Sequence, residues 1–363
     1  MHTLQSTNYT IEIGSIINST FLQMLINEYK KATKIIIVDE NTKEYCLEYL
    51  ITSFTDLSTA EVIELPAGEE NKQIEICLQV WESLTEYHID RNALIINLGG
   101  GVVTDMGGFI ASLYKRGIHF INIPTTLLAM IDASVGGKTG VDMGVYKNQI
   151  GVFSFPIKVY IDSIFLSTLQ PLDIKNGIVE MLKHGLIFNK EHWSNLKSMM
   201  KNKESITESL ILESVKIKNQ IVLEDPFEKD ARKKLNFGHT IGHAVESYFL
   251  KINQPILHGL AVAVGIVVES FISFKLNFLT ELEFEDIRSF IYTYFPKIKI
   301  DNNAIQEITD FTKQDKKNSN NQVKMVLLEK IGKAVSDITV TEDMIKSGLN
   351  DYIRFRDSSL SEV

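Results

Sequence analysis

Cysteine is nearly missing. Cys46 and Cys77 are the only two in 363 residues, with no CxxC pair, which argues against a disulfide scaffold and for a reducing cytosol. Positive charge is also short, with 37 Lys and Arg against 46 Asp and Glu and a net charge of −9. A nucleic-acid partner, which demands a basic face, is therefore excluded. Long apolar runs are absent too: "LAVAVGIVV" (260–268) ends at Glu269, too short to span a bilayer, and reads as a buried helix. The opening "MHTLQSTNYTIEIGS" has neither a basic start nor an apolar core, so no secretory signal is visible. The expectation is a cytoplasmic protein without a membrane segment. Internal repeats and low-complexity segments are likewise lacking.

What is present is enough chain for two domains and ample apolar residues for a large core. The first half alternates β-branched runs with helical patterns. "KIIIVDEN" (34–41), "NALIINLGGG" (92–101) and "HFINIPTT" (119–126) read as buried strands. "NKQIEICLQVWESLTEY" (71–87) places Ile74, Leu78, Trp81 and Leu84 at helical spacing. Such alternation predicts an α/β domain with a parallel sheet flanked by helices, and ligands beyond the carboxyl ends of the strands. After about residue 170 the pattern turns to long helical stretches at 173–188, 204–224, 238–251 and 258–279, then a short strand-like "KMVLLEK". The predicted division is 1–170 for a nucleotide-binding α/β domain and 171–363 for a mostly α-helical one.

Two glycine-rich stretches carry possible chemistry. "INLGGGVVTDMGGFIAS" (96–112) sets three glycines between a strand and a helix, where backbone can approach a diphosphate at a helix N-terminus. It is not a GxGxxG fingerprint, and a tight strand-to-helix turn without a ligand fits it as well. "IPTTLLAMIDASVGGKTGVDMGVYKNQIG" (123–151) adds Lys138, Lys147 and Asn148, suited to phosphate or carboxylate. Ser134 stands where a P-loop needs its first glycine. A solvated loop is the plainer alternative.

"NFGHTIGHAVES" (236–247) puts His239 and His243 one helical turn apart. His258 opens the apolar helix, and Glu180 lies among Ile178, Val179, Met181 and Leu182. A carboxylate in such surroundings needs a partner. One Glu and two His on separate helices would suit an open catalytic zinc site. On spacing alone each histidine reads more readily as a satisfied core residue than as a ligand, and HExxH is excluded because Thr240 follows His239.

Taken in order, these segments resemble the 3-dehydroquinate synthase family, within the sugar phosphate cyclases. The resemblance runs through "GEENK", "GGGVVTDMGGFIAS", "RG", "PTTLL", "DASVGGKTG", "KNQIG", "GIVEMLKHG", "RKKLNFGHTIGHAVE", "LHG" and "DKK". It implies a divalent metal on Glu180, His239 and His258, with zinc named first and cobalt as the alternative. His243 would then work near the substrate phosphate and not as a ligand. NAD would meet Asp39, Glu69, Lys72, Gly99, Gly100, Gly101, Asp105, Thr125 and Thr126, with Lys138 and Lys147 nearby. The substrate's phosphate and carboxylate would meet Lys138, Lys147, Asn148, Lys183, Lys218, Arg232, Asn236 and Lys317, together with Asp132. Arg116 would reach the neighbouring subunit of a homodimer.

The implied reaction converts a seven-carbon phosphorylated keto-acid, 3-deoxy-D-arabino-heptulosonate 7-phosphate, to 3-dehydroquinate and phosphate. A ring hydroxyl is transiently oxidised, phosphate is eliminated, the hydride returns, the ring opens and an aldol step closes it. Leu260, Asp142, Gly144, Tyr146 and Leu172 depart from the family's usual Glu, Asn, Pro, Gly and Arg. The alternatives are another cyclase such as 2-deoxy-scyllo-inosose synthase, a metal- and NAD-dependent polyol dehydrogenase, and a non-catalytic NAD-binding protein.

Overall fold

Runs such as Ile35–Val38 and Leu94–Leu98 are buried along their whole length, as strands covered on both faces must be. In the computed structural model, which describes residues 1–144, 146–313 and 323–355, they form the middle of a seven-stranded sheet. Its strands are β1 (His2–Gln5), β2 (Thr10–Ile13), β3 (Lys34–Asp39), β4 (Glu61–Leu65), β5 (Leu94–Gly99), β6 (His119–Pro124) and, after the hairpin below, β9 (Lys158–Ile161). The order is β1-β2-β9-β6-β5-β3-β4. Only the β1–β2 pair is antiparallel; the remaining neighbours run parallel. The expected parallel sheet with crossover helices is thus observed.

The helices of this part are α1 (Thr20–Glu28), α2 (Glu40–Tyr45), α3 (Leu47–Ser53), α4 (Ile74–Glu86) and α5 (Gly101–Leu113). In α4 the residues turned inward are Cys77, Val80 and Leu84, with Ile74 and Trp81 at the margin. Leu78, placed on the buried stripe by spacing, is 51% exposed. The apolar arc is centred one position away from it. The glycine- and lysine-rich stretch after β6 is not a solvated loop. It forms an antiparallel hairpin of β7 (Lys138–Met143) and β8 (Tyr146–Phe153), with Thr139 against Val152 and Gly140 against Gly151.

The rest is mainly helical: α6 (Pro171–Phe188), α7 (Lys190–Lys201), α8 (Glu208–Glu224), α9 (His239–Lys251), α10 (His258–Lys275), α11 (Glu281–Tyr294), α12 (Ala304–Thr312) and α13 (Glu342–Arg354). A second antiparallel hairpin pairs β10 (Val323–Lys330) with β11 (Lys333–Val340). Contacts divide the chain into two units, Met1–Gly177 with Thr207–Leu223, and Ile178–Ile206 with everything from Glu224 on. The division falls inside α6, and nearly all of α8 groups with the sheet, where Asn219 donates to the Gln5 carbonyl at 2.9 Å. α10 is long and apolar enough to cross a membrane, but 83% of it is buried within the protein. It is the core helix that its composition suggests.

Candidate active site

In the first unit, register brings the two glycine-bearing segments together. Gly99 at the end of β5 lies opposite Pro124 at the end of β6, and the Thr125 amide donates to the Gly99 carbonyl at 3.0 Å. Gly99–Gly101 and Thr125–Thr126 thus share the carboxyl edge of the sheet, where open α/β folds bind ligands. α5 starts there with Gly100 as N-cap and no side-chain cap, so its first amides are available to an anion. A Cβ on Gly100 would come within 3.0 Å of Thr126; a larger residue would fill that space. The Thr125 hydroxyl is buried without a hydrogen-bond partner among the described residues. These features fit a dinucleotide's diphosphate.

Beside them lies a charge network. Lys72, 3% exposed, donates to Asp105 at 2.6 Å and to the Asn148 side-chain carbonyl at 2.8 Å. Lys147 pairs with Glu69 at 2.8 Å and with Asp142 at 3.5 Å. Asp142 also accepts from the Asn148 amide at 2.6 Å, which holds Asn148 at φ +52. Burial would pull the Lys72 ammonium down, but Asp105, Glu69 and Asp142 outweigh it and the group stays charged. Burial pushes the Asp105 and Asp142 carboxyls up, against the pull of Lys72. Sequence reading marked Asp142 only as a departure; here it positions Lys147 and Asn148.

Other candidates of this unit sit on the elements around it, with the Lys218 cation also acting on Asp105. Asp39 caps α2, accepting from the Thr42 amide at 2.7 Å in a capping box. Lys218 bonds both the carbonyl and the carboxylate of Asp132. Lys138 opens the hairpin and is exposed. Arg116 is exposed at φ +69, just after α5.

In the second unit the histidines converge. His239, first residue of α9, and His258, first of α10, have ring centroids 5.3 Å apart. Their Nε2 atoms lie 3.6 and 3.9 Å from Oε1 of Glu180, which is fully buried. His239 Nδ1 lies 3.1 Å from the Phe237 carbonyl, a bond that requires the proton on Nδ1. His258 Nδ1 likewise faces the Glu246 carboxylate at 3.3 Å. Both imidazoles are thereby set as Nδ1–H tautomers with the Nε2 lone pair turned toward Glu180. Burial first, then the Lys183 cation, holds the His239 pKa well below the ordinary value, so the ring is neutral and able to ligate.

Glu180 Oε2 is ion-paired with the Lys183 ammonium, and neither Glu180 oxygen has a further hydrogen-bond partner among the described residues. The lysine engages Oε2 only, and the buried Oε1 that the two imidazoles face is costly unless a second cation joins it. Ligands at tetrahedral angles around one zinc lie roughly 3.4 Å apart, near the observed separations. The residues therefore fit a divalent metal. His243 is also in reach: His239, His243 and His258 can present ring nitrogens within 4.8 Å of one another.

Arg232 and Asn236 sit on the turn before α9. Arg232 is buried and donates to the Pro226 carbonyl at 2.7 Å. Asn236 donates to Glu228 at 2.6 Å. Asp225 accepts the amides of Lys229, Asp230 and Arg232 at 2.9, 2.6 and 3.1 Å and so shapes the turn. Glu228, Asp225 and Glu246 were missed by sequence reasoning, since an acidic residue in a polar turn or on a helix carries no spacing signal. Lys317 lies outside the described residues. Leu260 is buried in α10.

Residues 62–176 match the family model for the 3-dehydroquinate synthase N-terminal domain, and 177–318 match that for its C-terminal domain. The chain belongs to the 3-dehydroquinate synthase family. It is 41% identical over 334 residues to 3-dehydroquinate synthase of Parabacteroides distasonis, covering 91% of this chain and 94% of that relative. Among solved structures it is similar to 2-epi-5-epi-valiolone synthase from Streptomyces hygroscopicus with NAD+ and Zn2+ bound, at 25% identity and TM-score 0.81, covering 97% of this chain and 98% of that one. The 2-deoxy-scyllo-inosose synthase complexed with carbaglucose-6-phosphate, NAD+ and Co2+ shares the fold at TM-score 0.82 and 23% identity, over 96% and 99% of the chains. Family membership and fold class thus agree with the sequence reading.

Proposed function

We propose that this chain converts 3-deoxy-D-arabino-heptulosonate 7-phosphate to 3-dehydroquinate and phosphate, using NAD and one divalent metal. The carrying observation is the convergence of two Nδ1-tethered imidazoles on the free-facing oxygen of a buried carboxylate whose other oxygen pairs with Lys183, in a chain that belongs to the family. Bound there, NAD supplies reversible hydride transfer and the metal supplies Lewis acidity. Everything else falls to the protein's own side chains.

Glu180, His239 and His258 would hold the metal. Gly99–Gly101, Thr125, Thr126 and the α5 amides would hold the cofactor, with Asp39, Glu69, Lys72 and Asp105 beside them. Lysine and arginine are required because the substrate carries two anionic groups while the chain is acidic overall. Lys138, Lys147, Asn148, Lys183, Asn236 and Lys317 are assigned to the substrate, with Lys218 and Arg232 reading its carboxylate and Asp132 orienting Lys218. Once a ring carbon is a ketone, the neighbouring C–H is acidic. His243 is placed on the side of the phosphate that departs as that proton is lost. Zinc is the favoured metal, with cobalt as its substitute. A cytoplasmic homodimer, with Arg116 offered to the partner, completes the proposal.

The test is phosphate release from the seven-carbon substrate with NAD, before and after chelation. Release that stops on chelation and returns with added zinc or cobalt is expected, with no build-up of NADH. Failure to release phosphate with any divalent metal sinks the proposal, and NADH accumulating with turnover would make the protein a dehydrogenase.

A further inference from the structure

α9 carries one metal-site histidine at its first position and has no cap of its own. Its N-cap, Gly238, lacks a side chain and sits at φ +79, and its third residue is Ile241, which cannot accept a bond. The missing acceptors come from α10. Glu269, fully buried, takes the Gly238 amide on Oε2 at 2.6 Å and the Ile241 amide on Oε1 at 3.1 Å. These are the two amides that a capping box satisfies within one helix; here a single carboxyl from a neighbouring helix takes both.

A local cap could not replace it. A Cβ on Gly238 would stand 2.9 Å from Ile266, and one on Gly265 only 1.8 Å from the Gly238 carbonyl oxygen. The two helices cross too closely there for side chains at either glycine. Burial pushes the Glu269 carboxyl up to about 8 despite the amides that favour its ionised form, so the residue is expensive where it stands. His239 lies inside the capped turn, between the two bonded amides, and His258 opens the helix that carries Glu269.

We propose that Glu269 is a positioning residue of the metal centre: it caps the first turn of α9 across the helix crossing and so holds His239 in register with His258. This rests on the metal reading above. The test is Co2+ titration of the metal-free protein, followed by the visible absorption of the bound ion. Glu269→Gln offers an amide N–H2 to one backbone N–H, and should weaken Co2+ binding about tenfold to a hundredfold, as loss of support behind a ligand does, and shift the spectrum. Ile272→Ala, a cut in the core of the same helix, should lower thermal stability with wild-type Co2+ affinity and spectrum.

Wild-type affinity and spectrum in Glu269→Gln overturn the proposal, as does an equal loss in Ile272→Ala. If Glu269→Gln does not fold, Glu269→Asp, with charge but shorter reach, is held to the same criterion. Should the wild-type protein take up no Co2+, or His239→Ala take it up equally well, the metal reading fails and this inference falls with it.

Discussion

The two units bury ionisable side chains in opposite ways. Around Lys72 the charges interlock: two lysines, Lys72 and Lys147, are shared among three carboxylates, Asp105, Glu69 and Asp142, with Asn148 drawn in. Around Glu180 a single cation answers on one side, the Lys183 ammonium on Oε2, while Oε1 has no hydrogen-bond partner among the described residues and faces two imidazole Nε2 atoms. A network that satisfies itself holds its shape without a ligand; a cluster left with spare lone pairs is built to receive a cation. On the proposed function, the difference is between a scaffold for a cofactor and a socket for an ion.

The sharpest way to break the first half of that comparison is Lys72→Met. It leaves Asp105 and Asp142 without their common cation, and should cost about 2–3 kcal/mol by urea denaturation, toward the low end for a broken buried pair because Asp105 keeps some solvent. A neutral result would mean the network is dispensable. A smaller effect sharpens the second half. His192 on α7 is buried like His239 but has no part in the cluster, and burial lowers its pKa to about 4. Its folded value lies below the unfolded 6.5, so the unfolded chain takes the proton first. Stability should hold above about pH 7 and fall between pH 6.5 and 4, and His192→Gln should flatten part of that fall. Thermal melts across this range check it; an unchanged slope would contradict it.

The fold was legible where pattern has one physical cause. Strands buried on both faces announce themselves by unbroken Ile and Leu runs, and β3, β5 and β6 lie where those runs stand. Leu78 failed because an apolar residue at the stripe's edge satisfies the same spacing as one at its centre. The β7–β8 hairpin was hidden because glycine and lysine carry little strand preference; its backbone pairing is what makes the strand. The histidines and Glu180 were visible as chemistry in apolar company. Their supports were not: Glu246 and Glu269 act through a ring nitrogen and backbone amides of residues distant in the chain, and no spacing rule reports that.

The central claim is the composition of the socket, and metal stoichiometry tests it most directly. One Co2+ per chain is expected for the wild-type protein and for His243→Ala, and none at comparable concentration for Glu180→Gln, His239→Ala or His258→Ala. Loss of metal in His243→Ala equal to that in His239→Ala would contradict the account, because the turn-spaced pair in "GHTIGH" would then be a two-ligand clamp.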